Sequence, residues 1–259
     1  MPIRTASDIV TGAEYVRQLT ALESDRRVRA EFQRLAVSIA PPGSALFDFG
    51  AGPGIDARFY AERGFPVAAY DVDPKMCEFF SVHCQDLIAA GSVTLDGGSY
   101  RDFLARETPG NGRGIALVTA NFAPLNLICD LRELFAKFHR LTGPHGKVLA
   151  SVLSPYFIGD LKYRWWWQNV LRLLRDGHYA VQGSQAPIIR RRLANFASQS
   201  EPYFTLKRVF PGVPPFSAQH SSGIDVSRGS GHAWLCATRC LFMFLLFEKS
   251  SQGSMPTKA

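Results

Sequence analysis

No run of about 18 consecutive apolar residues occurs in this chain, so no membrane-spanning helix is expected. Leu241 to Phe247 is too short to span a bilayer, and Arg239 interrupts it upstream. The opening residues, Met1 to Ser7, lack the hydrophobic core of a secretory leader. Cysteine is sparse and scattered: Cys77, Cys84, Cys129, Cys236 and Cys240 form no metal-binding spacing, and an odd number cannot all pair. Free thiols in a cytoplasmic setting are the expectation. No internal repeat or long low-complexity tract is present. No Gly-Lys-Ser/Thr follows a glycine turn, which excludes the phosphate loop of the nucleoside triphosphatases.

What is present suits a globular domain. With 259 residues and 46% apolar content the chain can bury one substantial core, as a single domain carrying an insertion. Its charge is unevenly shared. Residues 1–154 hold 16 Lys/Arg against 17 Asp/Glu, whereas residues 155–259 hold 13 against 5. The whole +7 excess therefore lies in the second part.

The most informative stretch is Asp48-Phe49-Gly50-Ala51-Gly52-Pro53-Gly54. Ala45-Leu46-Phe47 reads as the end of a buried strand, and Ile55 to Arg63 reads as a helix. Glycines at alternate positions let the backbone turn sharply and approach a ligand where a Cβ would collide. The dinucleotide fingerprint needs a glycine at its sixth position, where this chain has Ile55. About 20 residues beyond the glycines, the apolar run Phe65 to Tyr70 ends in Asp71-Val72-Asp73-Pro74-Lys75-Met76. An acid at the tip of a second strand can accept from the ribose hydroxyls of an adenosine group. Asp73-Pro74 also has the form of a helix N-terminus.

Asp-x-Gly-x-Gly-x-Gly resembles the first motif of the class I S-adenosylmethionine-dependent methyltransferases, and the Asp71 stretch resembles their second. The resemblance covers residues 35–155 well and the rest by topology. It implies that Asp48, Gly50, Ala51, Gly52 and Gly54 cradle the cofactor. Asp71 would hold its ribose, with Val72 and Met76 on the adenine. Val93-Thr94-Leu95 followed by Asp96-Gly97-Gly98-Ser99-Tyr100 resembles the third motif, with Gly-Ser where many members have Gly-Asp. Ser99 and Tyr100 are the positions carried over to the adenine. Ile115 to Ala120 reads as a fourth strand, ending at Asn121-Phe122-Ala123-Pro124-Leu125-Asn126. That ending resembles a pattern of bacterial small-molecule methyltransferases, and it places Asn121 and Phe122 toward the sulfonium and the acceptor. Asn126 reads equally as a turn residue or helix cap.

Asp130 to Leu141 puts Leu131, Leu134, Phe135, Phe138 and Leu141 on one helical face, with His139 off that stripe and solvated. Thr142 to Lys147 reads as a turn before a fifth strand, Val148 to Leu153. The expected fold is α/β: a Rossmann-like, seven-stranded, mostly parallel sheet with an antiparallel last strand, helices on both faces, and a helical insertion before the sixth strand. The expected divisions are a helical cap over 1–40, a cofactor core over 41–154, a substrate lid over 155–203, closing strands over 204–249 and a disordered tail over 250–259.

Within the lid segment, Ile158 to Arg175 reads as a helix. Its consecutive tryptophans, Trp165 to Trp167, cannot all face one core, so at least one should meet a cavity, a partner or a membrane surface. Arg164, Arg172, Arg175 and Arg190-Arg191-Arg192 supply the basic excess. They read as a pocket for an acidic acceptor, as a nucleic-acid surface or as a solvated face. Basic residues do not interleave regularly with aromatics, so nucleic acid is the least supported of these. Peripheral membrane contact to collect a lipophilic acceptor is also compatible.

The expected activity is methyl transfer from S-adenosylmethionine to a small-molecule O, N or C acceptor, leaving S-adenosylhomocysteine. The alternatives are a non-catalytic cofactor-binding regulator and a nicotinamide-dependent oxidoreductase. Tyr156, Tyr163, His178, His220 and His232 are candidate bases, and none is assigned. Tyr15 and Arg29 could cover the methionine end of the cofactor. No metal site is read from the sequence, and oligomeric state is left open.

Overall fold

The computed structural model describes residues 22–106, 114–182, 187–212, 224–225 and 238–250. Five strands alternate with helices along the first part of the chain: β1 (Leu46–Phe49), β2 (Val67–Asp71), β3 (Val93–Gly97), β4 (Ile115–Ala120) and β5 (Thr142–Leu153). Short apolar runs separated by amphipathic helices can bury both faces of a sheet only when the helices divide between them, which produces parallel pairing. β1 pairs in parallel with β2 and β4, β2 with β3, and β4 with β5. Three later strands, β8 (Phe204–Pro211), β9 (Ile224–Asp225) and β10 (Phe242–Lys249), complete the sheet in the order β3-β2-β1-β4-β5-β10-β8-β9. β10 runs antiparallel between β5 and β8, as expected of the last strand, and β9 adds a short eighth strand at the edge.

The period-two alternation of the strands divides the apolar side chains into two cores. Phe47, Phe49, Val118, Ala120, Val148, Ala150, Leu245 and Phe247 face one side, against α5 (Tyr100–Ala105), α6 (Leu131–Leu141) and α8 (Leu193–Ser200). Leu46, Leu117, Leu149, Phe244 and Leu246 face the other, against α1 (Glu23–Ile39), α2 (Ile55–Ala61) and α3 (Pro74–His83). Each fully buried Leu or Phe contributes roughly 1.5–3 kcal/mol. The α6 stripe is buried as its spacing predicts. His139, expected in solvent, is instead half-buried against the rings of Tyr203 and Phe204, because β8 packs beside the helix end.

Two further expectations change. Thr142 to Lys147 is not a turn but the irregular start of β5, where the register against β4 shifts between Ile115 and Leu117. The insertion after β5 is only partly helical. A short 3₁₀ turn (Ile158–Asp160) and α7 (Arg164–Asp176) replace the single helix, and a hairpin of β6 (His178–Val181) and β7 (Ile188–Arg191) follows. Of residues 211–231 only 211–212 and β9 are described, and the tail beyond Ser250 lies outside the described residues. Among the described residues no helix is long and apolar enough to cross a membrane.

Candidate active site

The strand order reverses at β1: the chain moves out to β2 and β3, then returns to place β4 on β1's other side. At such a switch point the loops leaving the two central strands part and open a crevice at the carboxyl edge. One loop is the glycine turn, the other is Asn121 to Ala123. They meet closely, since a Cβ on Gly50 would sit 2.8 Å from Pro124 Cβ.

Gly50, Gly52 and Gly54 all have positive φ, at 70°, 55° and 82°. That left-handed backbone explains why the turn takes glycine at each position. Gly54 serves as N-cap of α2, and an added Cβ there would lie 2.8 Å from both Cys84 Sγ and a Phe80 ring carbon. An added Cβ on Gly52 would meet nothing within 4 Å. Gly54 is therefore required by packing, whereas Gly52 faces open space.

The tip of β2 closes over this turn. Asp71 accepts the Gly52 backbone N–H at 2.7 Å through Oδ2 and that of Asp73 at 2.9 Å through Oδ1. Burial pushes its carboxyl above the usual range, opposed by these backbone donors. Asp73 caps α3 by accepting from Lys75 N, with Pro74 at the first helical position. Between the two acids Val72 stands 55% exposed, an apolar side chain beside a carboxylate at the crevice rim. Met76 is buried beneath it in α3.

Asp48 lies buried at the end of β1. Its Oδ1 accepts from Thr119 Oγ1 at 2.9 Å, and its Oδ2 has no partner among the described residues. Burial first, then the neighbouring Asp56, pushes the carboxyl up to about 8. Such an orphaned buried carboxylate oxygen is the kind of group a cationic ligand satisfies.

Asp56, in the first turn of α2, joins three elements. It accepts from Arg29 Nη1 (2.6 Å) and Gln33 Nε2 (2.6 Å) of α1, and from Asn121 Nδ2 (3.0 Å) at the end of β4. Sequence reasoning missed Asp56. The available signal was an acid two residues past the last glycine, in a helix's first turn, where the dipole favours it. Arg29 also lies over the Phe122 ring at 4.5 Å. Phe122 and Ala123 adopt φ of 58° and 66°, a strained backbone for side chains with a Cβ. Asn121 Oδ1 accepts from Phe122 N at 2.9 Å and helps hold that conformation.

Other candidates are placed differently. Ser99 caps α5 by accepting from Asp102 N. Tyr100 is half-buried, with its ring stacked toward Phe103 at the core. Asn126 is fully buried and stitches the fold, accepting from Leu153 N (3.0 Å) and donating to Ile189 O (2.7 Å). The arginine run is not a solvated face. Arg190 is buried against Asp160 (2.6 Å) and Ser154 O, and Arg191 donates to the carbonyls of Leu125, Ile128 and Cys129. Tyr156 is half-buried while Tyr163 and His178 are exposed. Tyr15, His220 and His232 lie outside the described residues.

A family model described as a methyltransferase domain matches residues 16–192, more than half of the chain. The chain belongs to this methyltransferase family. No curated protein sequence matches it. Among solved structures, a TehB-like S-adenosylmethionine-dependent methyltransferase from Corynebacterium glutamicum superposes with a TM-score of 0.55 at 16% identity, covering 92% of this chain and 96% of the other. The 1,6-didemethyltoxoflavin-N1-methyltransferase of Burkholderia thailandensis, solved with 1,6-didemethyltoxoflavin and S-adenosylhomocysteine, gives 0.56 at 13% identity over 96% and 94% of the two chains. The CcbJ methyltransferase of Streptomyces caelestis gives 0.56 at 13% identity over 88% and 90%. The fold is that of the class I enzymes, and the cofactor of this methyltransferase is S-adenosylmethionine. The methyltransferase's crevice fits such a group on three counts: the space at Gly52, the orphaned oxygen of Asp48 and the exposed Val72 beside Asp71.

Proposed function

We propose that this methyltransferase transfers the methyl group of S-adenosylmethionine to a small-molecule acceptor. The bound cofactor supplies an electrophilic methyl carbon on a sulfonium. Transfer would join that carbon to the acceptor's lone pair, with the carbon–sulfur bonding pair left on sulfur. In this reading Asp48 and the turn of Gly50, Ala51, Gly52 and Gly54 hold the methionine portion. Asp71 accepts from the ribose, Val72 and Met76 flank the adenine, and Ser99 offers it a polar neighbour. Asn121 and Phe122 face the reacting carbon. Tyr100 was carried over with them, but its packing on Phe103 supports a part in shaping the site rather than in touching the cofactor.

The chain's task in such a displacement is to align the nucleophile with the methyl carbon and keep water out. The strained Phe122–Ala123 backbone, locked by the Asp56 cluster, suits a wall that must not yield.

Acceptor class rests on one observation: Arg190 and Arg191 are buried and spent on Asp160 and on backbone carbonyls, so they are withdrawn from phosphate contact. A nucleic-acid surface gathers many such groups, and burial of these two takes most of the 190–192 run away from it. The Burkholderia neighbour, which binds a small molecule beside the cofactor product, is consistent with this reading. We also propose a cytoplasmic setting, from scattered cysteines in odd number. The test uses S-adenosylmethionine labelled in its methyl group with cell extract divided into small-molecule, protein and RNA fractions. Label should enter the small-molecule fraction. Label confined to protein or RNA would overturn the acceptor class, and calorimetry with S-adenosylhomocysteine reports the cofactor site separately.

A further inference from the structure

Helix α7 has three faces, and only one of them belongs to the core. Leu173 is buried, Trp165 and Trp166 are half-buried, and Trp166 donates its indole N–H to Pro155 O at 3.2 Å. A second face carries Trp167 (59% exposed), Leu171 (73%) and Leu174 (62%), at positions i, i+4 and i+7, which align along one side of a helix. Ile158 and Tyr163, just before the helix, are exposed as well. The third face is basic: Arg164, Arg172 and Arg175 are exposed, and Lys162 precedes them.

Three large apolar side chains in a continuous exposed row are costly in water, and a soluble surface rarely keeps them without a use. Their neighbours narrow the occupant. Among the described residues 158–176, the exposed charges are four cations and one carboxylate, Asp176, which pairs with Arg175 at 2.7 Å. A second copy of this chain, meeting through the same face about a two-fold axis, would set these cations against their own kind. An anionic bilayer surface satisfies both faces at once: the indole and leucines enter the headgroup boundary while the guanidinium groups meet lipid phosphates. We propose that the Trp167–Leu171–Leu174 face of α7, with its flanking arginines, docks this enzyme reversibly on membranes carrying anionic lipid.

The insertion leaves β5 at its carboxyl end, the edge of the sheet that also bears the crevice. Docking through α7 would therefore hold that edge of the enzyme near the bilayer. The inference does not depend on acceptor identity, since it is read by vesicle binding alone.

The experiment is co-sedimentation of the full chain with phosphatidylcholine vesicles, with and without phosphatidylglycerol, at low and high salt. The chain should bind the anionic vesicles and release as salt screens the arginines. Trp167→Ser with Leu171→Ser should weaken binding at least roughly tenfold, from lost apolar burial. Arg172→Gln with Arg175→Gln should also weaken it roughly tenfold or more, at about fivefold for each cation near a charged surface. Their contacts are surface ones, Trp167 with Leu161 O and Arg175 with Asp176, so thermal unfolding of both double variants should stay close to the parent. Absence of binding to anionic vesicles, or binding by both variants as tight as the parent's, would overturn the proposal. So would a dimer, detected by sedimentation velocity, that the Trp167→Ser and Leu171→Ser changes dissolve.

Discussion

The Asp71 carboxylate accepts the backbone N–H of Gly52 at 2.7 Å, so the second strand's acidic tip is bonded to the glycine turn that leaves the first. That bond ties the two sides of the crevice together. A carboxylate has about four acceptor positions, and Asp71 spends two on Gly52 and Asp73, leaving capacity for ribose hydroxyls. Asp71→Asn keeps the shape but exchanges an ionic acceptor for a neutral amide. Affinity for S-adenosylhomocysteine should fall by about 1.5–3 kcal/mol, the scale of a hydrogen bond to a charged group. Calorimetry measures this, and an unchanged affinity removes Asp71 from the ribose.

Gly52 and Gly54 make opposite predictions from the same substitution. Gly54→Ala forces a Cβ to within 2.8 Å of Cys84 Sγ and Phe80 at a φ of 82°. It should lower unfolding stability by about 2 kcal/mol or more, through overpacking and backbone strain. Gly52→Ala meets open space, so its cost in the fold is the left-handed strain alone, about 1–2 kcal/mol. On the proposed function its Cβ enters the room given to the cofactor, and binding should suffer more than stability. Denaturant unfolding and calorimetry on both variants separate the two costs.

These contrasts show which parts of the molecule could be read before folding. The glycine turn, Asp71 and the Asp73–Pro74 helix start were legible because each is a local device: φ > 0 demands glycine, and an Asp-Pro pair begins a helix. The sheet order followed from alternating strands and helices. Arg190 and Arg191 were not legible. Adjacent arginines read as a pocket, a nucleic-acid surface or a solvated face, and only contacts with Asp160 and Leu125, 30 and 66 positions away in sequence, turn them into buried pins. Asp56 escaped for the same reason, since Arg29, Gln33 and Asn121 reach it from two other elements. The exposed row on α7 was visible as an excess of tryptophan, but which residues would lie outside depended on where the hairpin packed.

Asp48 gives the fold a pH dependence. Its carboxyl is raised to about 8 in the folded chain by burial and by Asp56, against an ordinary value of 3.8. Between those values the folded state holds a proton that the unfolded state has released. The proton count is therefore higher in the folded form, and stability falls as pH rises from about 4 to about 8, then levels. Asp48→Asn removes the titration, so its unfolding free energy should lack this part of the slope. Denaturant titrations across that window, in both proteins without cofactor, measure the difference. Cofactor binding adds a second readout: a sulfonium and an ammonium near Asp48 favour its ionised form. Binding at pH 7 should release a proton, detected as a dependence of calorimetric heat on the buffer's ionisation enthalpy.

Arg191 provides the sharpest test of how the insertion is fixed to the core. It is 2% exposed, it lies in β7, and its guanidinium donates to the carbonyls of Leu125, Ile128 and Cys129 in the stretch after β4. Burial pulls its pKa below the ordinary arginine value, yet the group stays charged and those carbonyls stabilise it. Arg191→Met fills much of the same volume but leaves the three carbonyls without this donor, that of Leu125 in a buried place. The cost should be about 2–4 kcal/mol, from lost charged hydrogen bonds and unmet carbonyls. Arg191→Lys reaches one carbonyl at a time and should recover only part of it, since an ammonium lacks the planar fork. Asn126 spans the same seam through Leu153 N and Ile189 O. Arg191→Met should therefore couple to Asn126→Ala in a double-mutant cycle, whereas Asp71→Asn should add independently. Full additivity of the Arg191 and Asn126 changes would mean that the insertion is held elsewhere.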